Sequence, residues 1–197
     1  MRSKPVPVFT HPSCIKHDPG PGHPETPARL SVLLSRLGTE PAAELREAAA
    51  SDREPLLAVH AGPYLDSLEA LSARGGGVLF LDTMLSRDSW AAALGATGSA
   101  LAAVDHALAG RGNAFAAVRP PGHHALAAQG MGFCLVNNVV VAARHAQRKG
   151  RERILIIDWD VHHGNGTQAL VETDPTVRYV SLHQSPWYPG TGAADER

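Results

Sequence analysis

The stretch Ile154-Leu155-Ile156-Ile157-Asp158-Trp159-Asp160-Val161-His162-His163-Gly164 constrains the fold of the whole chain. A short aliphatic run rich in Ile predicts a strand buried on both faces, as in a parallel sheet covered by helices. That run leads directly into acids and histidines. Strand side chains alternate, so Asp158, Asp160 and His162, at i, i+2 and i+4, are expected to project to one side. Carboxylates and an imidazole crowded at a buried strand end repel or stay poorly solvated unless a cation sits among them. Carboxylate oxygen with imidazole nitrogen suits Zn²⁺, Fe²⁺ or Mn²⁺. A hydrogen-bonded polar turn is the plainer alternative, but ligand type, phase and strand position agree on a metal. Asp160 and His162 are the best ligand candidates. Asp158 could complete the set or orient a neighbour, and no third ligand stands out.

A second motif follows another apolar run, Asn113 to Val118, which predicts a second buried strand. It ends in Arg119-Pro120-Pro121-Gly122-His123-His124. Prolines restrict the backbone, so adjacent histidines on such a loop are held at little cost in entropy. Near a metal-bound water, one neutral imidazole can take a proton, and an imidazolium can stabilise developing charge or protonate a leaving group. Each ring needs an acceptor on its other nitrogen, and Asp158 and Asn165 lie in the right motif to supply it. Metal-activated water with a histidine base is hydrolytic chemistry. No G-x-S-x-G nucleophile elbow is present, and Cys134 reads as core or as a wall behind the site.

The remaining elements are scaffold. Pro5 to Phe9 predicts a first strand and Thr10 to Pro27 a Pro/Gly/His-rich loop. A helix opens at Pro24 to Pro27 and closes at Gly38. Pro41 to Ala50 reads as an Ala/Glu-rich helix, and Ala61 to Arg74 as a helix stopped by Gly75-Gly76-Gly77, a mobile loop without phosphate-cradle context. Longer helices are expected over Asp88 to Leu108 and Leu135 to Lys149. Gly164 to Val171 predicts a helical turn and Val177 to Leu182 a strand. Alternating strands and helices define an α/β class with a mainly parallel sheet, helices on both faces and ligands beyond the carboxyl ends of its strands. The 197 residues fit one domain. A net charge of −1 carries no footprint for nucleic acid or an acidic membrane. Two cysteines make no disulfide framework, and a cytoplasmic location is expected. The sequence leaves the oligomeric state open.

Arg119-Pro120-Pro121-Gly122-His123-His124-Ala125, Gly132-Phe133-Cys134 with Asn137-Asn138, and the run Asp158 to Gln168 together resemble the zinc-dependent histone deacetylases and acetylpolyamine amidohydrolases. The likeness is nearest to the class II branch and its bacterial members. Ser181-Leu182-His183, Tyr188-Pro189-Gly190-Thr191-Gly192, His23-Pro24-Glu25 with Arg29, and His60 with Tyr64-Leu65 extend it over essentially the whole chain.

The resemblance implies the arginase/deacetylase α/β fold, with Asp160 and His162 as zinc ligands. It implies that His123 and His124 are the tandem acid/base pair, His124 being the base. Asp158 would orient His123, and Asn165 would orient His124. Gly132, Phe133 and Tyr188 would line the tunnel for an acetylated side chain. A structural K⁺ is implied at Asp158, Ser181 and Leu182, with backbone oxygens of Asp160 and His162. Substrates would be acetyl-lysine side chains or small acetylated amines such as polyamines. A third zinc ligand, an Asp, and a catalytic Tyr lie further on in the family. Residues 1–197 are therefore expected to form an incomplete deacetylase domain with little activity of its own. The alternatives are a non-catalytic acyl-lysine binding module and a two-manganese relative with the arginase-type fold, against which the tandem histidines argue.

Overall fold

The computed structural model describes residues 4–194 and 196. Arg197, where the sequence reading ends the domain, lies outside them. In chain order the first elements are β1 (Val6–Thr10), α1 (Ser13–Lys16), α2 (Pro27–Leu37), β2 (Ala43–Glu47), α3 (Glu54–Leu57) and α4 (Gly62–Ala73). Then come β3 (Gly76–Phe80), β4 (Thr83–Ser86), α5 (Ser89–Leu108) and β5 (Phe115–Ala116). The last are α6 (Asn138–Arg148), β6 (Ile154–Asp158), α7 (Asn165–Val171) and β7 (Val177–Ser181).

Among the described residues the strands form three sheets. One has the order β2-β1-β5, another pairs β6 with β7, and both are parallel. The third is the antiparallel hairpin β3-β4. Parallel neighbours need crossovers, and helices supply them. Between β1 and β2 runs α2, and between β6 and β7 runs α7. The chain is thus of the α/β class.

Among the described residues apolar burial falls into three clusters. Leu56, Leu65, Leu68 and Leu135 join α3, α4 and the segment before α6. Val8, Cys14, Leu30, Ala96 and Ala117 join β1 to α1, α2 and α5. Val140, Ala143, Ile156, Val171 and Val177 join α6 and α7 to β6 and β7. The start of α6 is capped by Asn137, whose side chain accepts from the Val140 amide at 3.2 Å and satisfies a free helix-end donor.

Three expectations are corrected. Pro41 to Ala50 is not a helix. Its core is β2, because Val6 to Thr10 offers a full parallel ladder from Val6↔Ala43 to Thr10↔Glu47, and ladder pairing overrides the helix preference of Ala and Glu. Gly76 and Gly77 are strand residues, paired with Ser86 and Leu85 in the hairpin. The organising strand β6 is not buried on both faces. Ile156 is buried against α6 and α7, whereas Leu155 and Ile157, which alternate to the other face, are 58% and 50% exposed.

Candidate active site

The polar motifs meet beyond the carboxyl ends of β5, β6 and β7, where a parallel sheet opens its crevice. Asp158 is the last residue of β6. Its Oδ2 lies 3.0 Å from His123 Nδ1 and accepts from the Tyr179 hydroxyl at 2.9 Å. Its Oδ1 accepts from the Asp160 amide at 3.1 Å. Burial works against ionisation of Asp158, but the His123 hydrogen bond and charge, with the Asp160 and Tyr179 donors, hold its carboxyl below the usual range. Gly164 is required beside it, since a Cβ there would fall 2.3 Å from Asp158 Oδ2.

His124 is buried, and its Nδ1 lies 2.8 Å from Asn165 Oδ1 at the first position of α7. With Nδ1–H donated to that amide oxygen, Nε2 is the basic atom. Burial, then the charge of neighbouring His123, pull the His124 pKa down to about 4. The ring is therefore neutral at physiological pH. The two imidazoles lie with centroids 3.9 Å apart. Behind them Cys134 is fully buried; its Sγ accepts from the His124 amide at 3.4 Å, and burial pushes the thiol pKa up.

Both histidines line a cavity of about 510 Å³ with Asp160, His162, Phe133 and Tyr188. Tyr188 sets its ring edge-on to His124 and His162 at 5.1 and 5.8 Å, and its hydroxyl pKa is pushed up to about 12 by burial and then by Asp82. Phe133 has φ +67, a left-handed conformation unusual for an aromatic residue. The β3–β4 hairpin holds it there. Thr83 Oγ1 accepts from the Phe133 amide at 3.0 Å, and Asp82 Oδ1 accepts from the Gly132 amide at 3.2 Å. Gly132 itself has φ +56, and a Cβ there would lie 2.3 Å from His124 Cδ2.

Asp160 and His162 supply a carboxylate oxygen and an imidazole nitrogen side by side on the cavity wall, a donor set of the kind zinc takes. Asp160 Oδ1 lies 3.2 Å from His162 Nδ1 and accepts from the His162 amide at 2.9 Å. Among the described residues no group of three or more His, Cys, Asp or Glu side chains forms a metal cluster. Ser181 is the register partner of Asp158, and the Leu182 amide donates to Asp158 O at 2.9 Å. Ser181 Oγ pairs with His183 Nδ1 at 2.8 Å.

The structure thus gathers His123, His124, Asp160, His162, Gly132, Phe133 and Tyr188 around one cavity, with Asp158 and Asn165 behind the two histidines as their acceptors. Ser181 and Leu182 adjoin Asp158 on β7 and the turn after it. Sequence reasoning gave no role to Asp82, Thr83, Tyr179, or the pairing of Glu25 with Arg119. Only a charged residue closing an apolar strand, as Arg119 does, could have signalled the last.

Two histidines, each with its own acceptor, thus stand in a crevice of a parallel α/β scaffold. The model of the histone deacetylase domain matches residues 23–197. The chain is 45% identical over 176 residues to the histone deacetylase-like amidohydrolase of Pseudomonas aeruginosa, covering 87% of this chain and 46% of that protein. It is 40% identical over 176 residues to the polyamine deacetylase HDAC10 of Rattus norvegicus, covering 81% and 29%. The crystal structure of the HDA15 HD domain superposes with a TM-score of 0.91 at 38% identity, covering 96% of this chain and 59% of that one. This chain belongs to the histone deacetylase domain family and has its α/β fold. It spans 62%, 46% and 54% of the length of three curated relatives it matches.

Proposed function

We propose that the whole protein is a zinc-dependent amidohydrolase that removes acetyl groups from acetyl-lysine side chains or small acetylated amines. One observation carries the reading: two histidines, each tied through Nδ1 to its own acceptor, face Asp160 and His162 across one cavity. The family membership and the names of the amidohydrolase and polyamine deacetylase relatives support it.

Asp160 and His162 would hold zinc, which when bound polarises the acetyl carbonyl and acidifies a water. His124 Nε2 would take a proton from the attacking water as its oxygen bonds to the carbonyl carbon. Asn165 keeps Nδ1 protonated throughout, so the ring presents one basic atom. The ring of His124 is neutral beforehand, as a base must be. His123, held by Asp158, stands beside that ring, and the pair returns the proton to the departing amine nitrogen as the C–N bond breaks. Acetate and free amine result. Phe133 and Tyr188 wall the slot that admits the acetylated chain. Asp158, Ser181 and Leu182 are proposed to hold a structural K⁺ beneath the site.

The test is acetate release. Zinc-replete full-length protein is incubated with an acetyl-lysine peptide and, separately, with N-acetylputrescine. Equal amounts of acetate and amine are expected, lost on chelation and regained with zinc. Binding of the peptide without acetate release would replace this reading with a non-catalytic acyl-lysine module.

A further inference from the structure

We infer that Arg119 and Glu25 form a clamp that positions the His123–His124 pair; the inference rests on the acid/base reading above. Neither residue touches the reacting atoms by this argument, so both are positioning residues.

The guanidinium of Arg119 is buried, and each of its five N–H donors has a protein acceptor. Nε donates to Glu25 Oε1 at 2.5 Å, and Nη2 donates to Glu25 Oε2 at 2.5 Å and to Glu25 O at 3.1 Å. Nη1 donates to Cys14 O and His17 O, both at 3.0 Å. Glu25 is buried too, and its Oε1 also accepts from Arg29 at 3.3 Å. One side chain thus gathers the loop from Cys14 to Glu25 around the end of β5.

That loop reaches the tunnel. His23 Nε2 lies 3.0 Å from Asp82 O, and the His23 ring stands edge-on to Phe133 with centroids 4.6 Å apart. Glu25 lines the same cavity as His123 and His124.

Arg119 also leads into the histidines. Pro120 and Pro121 follow it and leave little backbone freedom before Gly122 and His123. Pro120 O accepts from Asn138 Nδ2 at 3.3 Å. The histidines are therefore suspended between two anchors. One is the Arg119 fork, and the other is the Asp158 and Asn165 acceptors. A buried ion pair is no better for stability than a well-packed apolar pair, but a planar fork fixes direction as well as distance. Proton transfer depends on that placement, and a shift of about 1 Å can cost on the order of 100-fold in rate.

The experiment compares Arg119→Lys, Arg119→Ala and Glu25→Gln in the full-length protein, with circular dichroism to select folded variants. Expected is a fall in kcat of on the order of 10- to 100-fold, with KM within about threefold of the parent. Guanidinium added to Arg119→Ala should restore part of kcat saturably, and methylammonium should not. Should Arg119→Ala fail to fold, Glu25→Gln and Arg119→Lys decide. Folded variants with unchanged kcat, or with a raised KM alone, would overturn the clamp. A crystal structure of Arg119→Lys gives a readout independent of turnover. The clamp predicts a displaced Arg119–His124 loop and a lost His124–Asn165 contact, and an unmoved pair refutes it. If the parent protein releases no acetate, the proposed function fails, and this structural readout still judges the clamp.

Discussion

The loop Arg119 to His124 and the segment Asp158 to His162 both deliver site residues, yet they are built in opposite ways. In the first, Arg119 and His124 are each 3% exposed, and the Arg119 guanidinium and His124 Nδ1 are tied inside the protein. In the second, Trp159 is 78% and Val161 53% exposed, and Asp160 and His162 open to the cavity. The difference fits the roles proposed for the two. A proton-transfer group needs a set tautomer and pKa, which burial and a fixed acceptor provide. A ligand donor needs access and a free lone pair. The comparison predicts that damage to the loop is felt in rate and stability, and damage to the segment in metal binding.

The sharpest separation comes from the site itself. His124→Ala should lower kcat by about 10²- to 10⁴-fold while zinc content, measured by plasma emission, stays at the parent level. Asp160→Ala should lose zinc and activity together. Zinc retained in Asp160→Ala would remove that residue from the ligand set and collapse the distinction.

Next in size is the clamp. Glu25→Ala leaves the Arg119 guanidinium buried without its counter-ion, and such breaks cost about 3–5 kcal/mol. The exposed Arg148–Glu54 pair, at 3.2 Å, is the control; losing it through Arg148→Ala should cost about 0–1 kcal/mol. Urea unfolding measures both, and equal losses would mean that the buried pair is not special.

Acid should weaken the buried half selectively. His17 and His60 have pKa values lowered to about 4 from an ordinary 6.5. Burial is the main cause in both, followed for His17 by the charge of Arg119. Glu25 Oε2 stands 3.5 Å from His17 Nε2, but Arg119 already matches its charge. His60 donates Nδ1–H to Leu126 O at 2.9 Å and accepts the Asn137 amide on Nε2 at 2.9 Å, so a second ring proton would face a donor. Because the folded pKa values are depressed, the unfolded chain takes up protons first. Stability is full above about pH 6.5 and falls as pH drops toward about 4, by up to ~3 kcal/mol per ring. Urea midpoints that stay flat from pH 7 to 4.5 would contradict the buried neutral state.

How much could be read beforehand follows the same division. The Asp158-to-Gly166 run and the Pro-Pro-Gly-His-His loop could be picked out as parts of one site because residue type and spacing are local. The elements β1, α4, α5 and β7 were legible too, because their apolar patterns are continuous. The strand β2 was hidden because Ala43-Glu44-Leu45-Arg46-Glu47 has helix-favouring composition and becomes a strand only beside β1. The exposed face of β6 was equally illegible, since an aliphatic run does not say which of its faces is covered. Arg119 with Glu25 joins residues 94 apart in sequence, a pairing no local pattern carries.

The smallest effect tests the rule that burial here goes with satisfaction. His106, near the end of α5, is buried at 8% exposure and breaks that rule. Among the described residues neither of its ring nitrogens has a hydrogen-bond partner, and its ring lies 6.0 Å from Phe9. An unsatisfied buried polar group costs about 1–3 kcal/mol, and an apolar ring of similar shape carries no such cost. His106→Phe should therefore raise stability by ~1 kcal/mol, seen as a higher urea midpoint with unchanged slope, and leave kcat and zinc content alone. The site histidines would show the opposite sign, because their Nδ1 atoms are partnered and replacement by Phe strands Asp158 and Asn165. A destabilised His106→Phe would mean that this ring, too, is satisfied in solution.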